Sequence, residues 1–254
     1  MGNKIILIFV LSSLLFAFDK TIDLAGSGMS YSEKGSGMIM DNVVNAKTPG
    51  YKEVKQKSVY DSKKGEVITV VSISFLKGPY VNSGKNLDFA IDGKGFFMVQ
   101  DKSTKRYFFT CDGRFEVNED RMLVTLSNKF LVLDTDRAPI QIPLYTDVKA
   151  NDKGTLFDNG SNKIAQLGIV EVFDTKQLSS VNNVFFYLEN EDKKMIKVIS
   201  DETTIRQGFY ELSNVDYTRV LAKLADSGKY SANTNIIQTR MKMLDTIIDI
   251  VNKQ

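Results

Sequence analysis

The chain has 254 residues, 43% hydrophobic and 25% charged, with four prolines, which is the profile of a folded chain able to bury one large or two small cores. Its 33 basic residues against 31 acidic ones leave a net charge of +2, so there is no basic excess of the kind that nucleic-acid binding needs. Histidine is absent, which removes the commonest general base, the usual activator of a nucleophilic Ser or Cys and the commonest metal ligand, and the single cysteine excludes an intrachain disulfide.

At the N-terminus, Lys4 precedes an apolar run from Ile5 to Phe18, broken only by Ser12 and Ser13. A basic start followed by a short apolar stretch is the pattern of a secretory signal peptide, and the run falls short of the ~20 apolar residues of a transmembrane helix. Cleavage near Ala17 fits, although Leu15 is larger than the residue usually wanted at that offset. An uncleaved anchor is the other reading, and both place the remainder of the chain outside the cytoplasm.

Next comes a stripe at 3-4 spacing: Ile22, Ala25, Met29, Ser32, Ser36, Ile39, Val43 and Ala46. Half of these side chains are small, and Gly26, Gly28, Gly35 and Gly37 each cost about 1 kcal/mol relative to alanine inside a helix. The pattern predicts a marginal helix that gains from a longer helix packed on it, ending at Thr48-Pro49-Gly50.

The middle of the chain reads as strands. Glu66–Phe75 is β-branched and partly alternating. Phe96–Gln100, Tyr107–Thr110, Phe115–Val117, Met122–Leu126, Phe130–Leu133, Thr155–Phe157, Ile164–Phe173 and Val184–Leu188 follow, separated by turn signals such as Asp112-Gly113 and the four residues Asn118–Arg121. Many short strands with close turns and no long helical pattern between them predict a small barrel or sandwich.

The C-terminal segment reads as the clearest helix. Ser213 and Asp216 have the form of a capping box. Tyr217, Val220 and Leu224 begin an apolar stripe that weakens around Ser227 and Gly228, and Ile237, Met241, Leu244, Ile248 and Val251 continue it at spacings of 4, 3, 4 and 3. Such a seam packs equally well on its own domain or on a partner.

Polar clusters have a plain reading. Asp88, Asp92 and Asp112 beside glycines are turn residues before they are site carboxylates. Asp92-Gly93-Lys94-Gly95 lacks the spacing of a phosphate loop and precedes a strand rather than a helix. Asn151-Asp152-Lys153-Gly154 and Asp158-Asn159-Gly160 lack EF-hand spacing and read as β-turns. Phe96, Phe97, Phe108 and Phe109 read as core on one sheet face before they read as a stacking platform. Cys111 has no histidine to activate it and reads as a small, partly buried strand residue. No nucleophile–base pair emerges, and no metal, cofactor or small-molecule substrate is expected.

Four blocks, in order, resemble the flagellar basal-body rod and hook protein family. The first is Ser27-Gly28-Met29 followed by Asp41-Asn42-Val43-Val44-Asn45-Ala46-Lys47-Thr48-Pro49-Gly50-Tyr51-Lys52. The second runs from Asn86 to Phe97 and the third from Phe109 to Phe115, with Cys111 where that family usually carries arginine. The fourth runs from Gln207 to Asp216 and leads into the C-terminal helix, where Tyr230, Asn233 and Ile237–Thr239 also fit. Together they span about residues 22 to 251. The short segment between Gly50 and Leu87 and the Thr48-Pro49-Gly50 turn are closer to the proximal-rod member, while the C-terminal helix is closer to the distal-rod subunit, so the member stays open. Roughly the first 19 residues precede the family's usual start, and Gly35 and Gly37 fall where the family prefers helix formers.

The resemblance implies an α+β fold, with N- and C-terminal helices packed as a coiled-coil-like domain and a β-rich middle domain outside it. The corresponding division is a signal-like segment at 1–19, a helical axial assembly domain from 20–50 plus 208–254, and a β-rich outer domain at 51–207. It also implies a non-enzymatic structural subunit of the rod that assembles axially with its own copies and with other rod and hook subunits, transmits torque and sits in the periplasmic part of the basal body. The expected assembly residues are Met29, Asn42, Val43, Asn45, Gly50, Val220, Leu224, Ile237, Met241, Leu244, Ile248 and Val251. The competing expectation, motivated by the signal-like start, is a secreted or periplasmic binding module or adhesin built on the same fold.

Overall fold

A computed structural model describes residues 34–63, 66–189, 196–198 and 203–225, together with Thr239 and Lys242. The chain divides into two compact units. The first comprises Met1–Val43, Lys55–Val71 and Tyr217–Gln254, and the second comprises Val44–Val54 and Ser72–Asp216.

In the first unit, helix α1 covers residues 34–44. A two-stranded antiparallel ribbon is formed by β1 (Val54–Asp61) and β2 (Glu66–Ile73), and helix α2 spans Tyr217–Ala225. Asn42 and Val220 are buried, whereas Met40, Val44, Tyr217 and Leu221 are exposed.

The second unit is built of strands, with one 3-10 turn at Thr175–Gln177 among its described residues. Strands β3 (Tyr80–Asn82), β4 (Phe89–Asp92), β5 (Phe96–Asp101), β6 (Tyr107–Thr110), β7 (Phe115–Val117), β8 (Leu123–Thr125) and β9 (Phe130–Val132) are followed by β10 (Lys149–Ala150), β11 (Thr155–Phe157), β12 (Lys163–Gln166) and β13 (Ile169–Val172). Then come β14 (Leu178–Val181), β15 (Phe185–Leu188), β16 (Ile196–Val198), β17 (Thr204–Gln207) and β18 (Phe209–Glu211). The main antiparallel sheet has the order β14-β15-β6-β5-β9-β8-β7, and β13 joins β5 to β16. A three-stranded sheet β10-β11-β12 and the pairs β17-β4 and β18-β3 complete the unit.

The main sheet is buried on both faces. Successive side chains of a strand point to opposite sides. Accordingly, Phe97 and Val99 of β5 enter one core with Phe89, Phe108, Phe115 and Phe130, while Phe96 and Met98 enter a second with Phe109, Cys111 and Phe186. This corrects the one-face reading of the paired phenylalanines: each pair supplies one ring to each core. The rings interlock edge to face, with Phe97 on Phe115 at 5.3 Å and Phe75 on Phe186 at 5.0 Å, a preferred aromatic geometry.

The expected α+β architecture with N- and C-terminal helices packed as a coiled-coil-like domain is overturned. Among the described residues the fold is mostly strand, with helix only in the short α1 and α2, at Thr239 and Lys242, and in a 3-10 turn at Thr175–Gln177. The 3-4 spacing was a real periodicity, but it says nothing about length. Helices shorter than about 12–15 residues depend on tertiary packing, and the glycines at 35 and 37 weaken α1 further. The seam residues Met29, Ile237, Met241, Leu244, Ile248 and Val251 lie outside the described residues. The capping box is also displaced: Ser213 Oγ accepts from Val215 N at 3.2 Å, a local turn, and α2 begins only at Tyr217.

Candidate functional site: a buried lysine–glutamate junction

The residues after the Thr48-Pro49-Gly50 stop do not leave the fold as a free linker. Gly50 adopts φ +72°, a conformation glycine takes without cost, and a Cβ there would collide with the backbone of Asp112. Its N–H donates to Glu211 O at 2.9 Å. Gly113, next to Asp112, is equally constrained, because a Cβ would run into Phe89 O, and Phe89 N donates to Gly113 O at 2.8 Å. Gly208 N in turn donates to Asp88 O at 2.8 Å. Thus all four sequence blocks touch one another at this point, and two glycines are there because backbones pass too closely for a side chain.

At its centre lies an ion pair removed from water. Lys52 Nζ and Glu211 Oε1 are 2.6 Å apart, with both side chains 1% exposed. Burying two charges is costly unless every donor and acceptor is satisfied. Here Lys52 also donates to Leu76 O at 3.0 Å, and Glu211 accepts from Gly78 N at 2.8 Å and from Lys77 Nζ at 3.1 Å. Gly78 permits this approach, since a Cβ would meet Leu212 O.

Asn214 extends the junction. Its Oδ1 accepts from Glu53 N at 2.7 Å, and its Nδ2 donates to Ser74 O and Leu76 O at 2.7 and 2.8 Å. One amide therefore splices three chain segments. Asp112 closes the edge with a bidentate pair to Arg114, Nε to Oδ1 and Nη2 to Oδ2, both at 2.9 Å. The hydrogen bonds that Arg114 donates to Asp112 raise its pKa, against the opposing effect of burial.

Two neighbouring groups are tuned by the same surroundings. Burial pushes the Cys111 thiol up, and the adjacent Lys52 and Lys77 ammoniums pull against it. The cysteine is buried and neutral, a small apolar filler rather than a nucleophile. Tyr80 donates to Ile91 O at 3.0 Å, and its pKa is pushed up to about 12, first by burial and then by the Asp92 and Glu211 carboxylates.

The sequence-expected assembly residues distribute unevenly. Gly50 belongs to the junction, Asn45 Oδ1 accepts from Thr48 Oγ1 at 3.1 Å just before it, and Asn42 is buried with Val43 half-buried on α1. Val220 is buried on α2, and Leu224 lies in its last turn. Lys52, Glu211 and Asn214, the residues that build the junction, were part of the first and fourth blocks but carried no signal of contact. The carboxylate clusters resolve into turns: Asn151 Oδ1 accepts from Lys153 N and Thr155 N, and Asp158 Oδ1 accepts from Gly160 N and Asn162 N. Asp158 is held below the ordinary carboxylate range, first by the Asn162 side-chain amide, which donates to its Oδ2 at 3.0 Å, and then by these backbone N–H groups.

Comparison with known proteins agrees with this geometry. Residues 90–172, which contain most of the main sheet, match the model of the flagellar hook protein FlgE/F/G D1 domain. Over these residues the chain is similar to the flagellar rod and hook proteins. Its relatives include the basal-body rod protein FlgF of Caulobacter vibrioides, 28% identical over 74% of this chain and 80% of that protein. The basal-body rod protein FlgG of Borreliella burgdorferi is 23% identical over 87% of this chain and 94% of its own length. The hook protein FlgE of Escherichia coli is 33% identical, but over only 40% of this chain and 26% of that protein. The rod proteins are therefore matched through most of their length and the hook protein only in part.

Proposed function

We propose that this rod and hook family member is a structural subunit of the flagellar basal-body rod, located in the flagellar basal body. The observation that carries the reading is the near full-length match to basal-body rod proteins, whose blocks come together in this chain at one satisfied, water-excluded junction. A load-bearing subunit needs a rigid body, and the junction supports that reading within the second unit, where residues 50–53 and 211–214 are bound to each other and to residues 74–78.

The chain assembles with copies of itself and with other rod or hook subunits, using Met29, Asn42, Val43, Asn45, Gly50, Val220, Leu224 and the 237–251 seam. Residues 20–50 and 208–254 form the axial assembly part and 51–207 the outer part. The subunit acts without enzymatic activity or cofactor, and residues 1–19 direct export from the cytoplasm. Beyond the signal-like start, nothing favours the adhesin alternative.

Deleting residues 237–254 tests the assembly role. The truncated chain should remain folded, by circular dichroism of the purified protein, yet be missing from isolated basal bodies, with motility lost. Normal motility with the truncated chain as the sole copy would sink the proposal.

A further inference from the structure

Two surface features of the second unit remain unused by the junction. One is a loop, residues 143–147, between β9 and β10. Leu144 is 66% exposed and Tyr145 is 96% exposed. Tyr145 holds φ +55°, a left-handed conformation uncommon for a bulky side chain. The loop is nonetheless pinned. Arg121 Nε donates to Ile142 O at 3.0 Å and its Nη2 to Pro143 O, Thr146 Oγ1 donates to Leu144 O at 3.2 Å, and Asp147 N donates to Asn159 Oδ1 at 2.8 Å. A pinned loop that spends strain to hold an aromatic ring in water is preorganised to give that ring to something else.

The other feature is a groove of about 640 Å³ beside β5 and β13. Phe75, Phe96 and Val172 form its floor, and Leu76 and Phe173, exposed by 69% and 68%, stand at its lips. Lys94 on its rim is 84% exposed and reaches its nearest carboxylate, Glu171, only at 3.8 Å. Across the molecule's own surface features the charges complement: Asp147, two residues beyond Tyr145, bonds through its carboxylate only to the Asn86 amide among the described residues.

We infer that the Leu144–Tyr145 loop of one subunit docks in the Phe75–Phe96–Phe173 groove of a second copy, with Asp147 paired to Lys94. The inference rests on the rod-subunit reading and names a surface for it. Knob and groove are different patches of one chain, so the contact is heterologous and propagates from copy to copy without closing on itself. Tyrosine in a desolvated pocket is the residue type most often found to dominate such contacts.

Cysteine cross-linking in assembled basal bodies tests it. Two tagged full-length copies are co-expressed, one carrying Tyr145→Cys and the other Phe173→Cys, with Cys111 buried in both. Basal bodies are isolated and mildly oxidised, and dimers bearing both tags are counted against a reference pair, Tyr145→Cys with Ser103→Cys. The expected result is mixed dimer about tenfold or more above the reference. In parallel, Tyr145→Ala should lower incorporation by a similar factor while leaving the purified chain's circular dichroism unchanged. Basal bodies that contain both copies but give mixed dimer at the reference level overturn the docking while leaving the rod reading intact. Cross-links only to a different rod subunit also overturn it. Absence of both copies from basal bodies defeats the rod reading, and the docking with it.

Discussion

The main sheet of the second unit and strand β2 of the ribbon in the first are both rich in apolar, strand-forming residues, yet only the sheet is buried. In β5 and β6, Phe97, Val99, Phe108 and Phe109 are all under 9% exposed, divided between two cores. In the ribbon, Val59, Tyr60, Val70 and Val71 are 42–65% exposed. A ribbon of two strands is at best marginally stable without further packing, whereas a sheet covered on both faces carries its own cohesion. The contrast locates stability in the second unit and leaves the ribbon as a surface whose apolar residues do little for the fold of a single chain.

The largest effects expected from this contrast lie in the second unit. Lys52→Met or Glu211→Leu alone strands a charge in a site 1% exposed, and each should cost about 3–5 kcal/mol in denaturant unfolding. The double variant should recover most of that loss, because a matched apolar pair no longer strands either charge. Lys77 blunts the recovery, since its partner Glu211 is gone. Simple addition of the two single losses would show that the pair does not act as a unit.

Phe97→Ala should cost about 3–5 kcal/mol by the same assay, since the ring is fully buried against Phe115. Asn214→Ala removes its hydrogen bonds to Glu53 N, Ser74 O and Leu76 O, the last of which keeps Lys52, and should cost about 1–3 kcal/mol. On the ribbon, Val70→Thr and Val71→Thr should each stay within about 0.5 kcal/mol of the parent. A ribbon substitution as costly as Phe97→Ala would erase the distinction between the two regions.

The smallest effect is a pH signature beside the junction. Tyr80 ionises near 12 when folded against 10.0 for an ordinary tyrosine. Below pH 10 the ring is neutral in both states and its contribution is intact. Between about 10 and 12 only the unfolded state loses the proton, so stability falls as pH rises. Ultraviolet difference titration should show a late tyrosine that is missing in Tyr80→Phe, whose unfolding should depend less steeply on alkaline pH.

Most of the strands were legible because their signal is local. β6 and β7 have the bounds that alternation and the Asp112-Gly113 turn gave them, and β11 matches as well. Ile164–Phe173 instead splits into β12 and β13. Gly168 N donates to Leu133 O and Met98 N donates to Gly168 O, and a Cβ at Gly168 would collide with Asp134 O, so the chain must break there. The coiled-coil-like packing of the ends was misjudged because a 3-4 stripe reports a face, not a length or a partner. The junction itself was invisible as a contact: Lys52 and Glu211 are 159 residues apart, and neither position carries a local signal of burial. What could be read was their membership of two blocks that resemble one family, and the structure explains why those blocks hold glycine, lysine, glutamate and asparagine where they do.

The most direct test of the central claim is mass spectrometry of purified basal bodies. A structural rod subunit should be present there in stoichiometric amounts and should persist through washing with salt, since its contacts are not surface charge pairs alone. Absence from basal bodies, with the chain abundant in the soluble periplasm, would contradict the rod assignment and leave only the family and the fold.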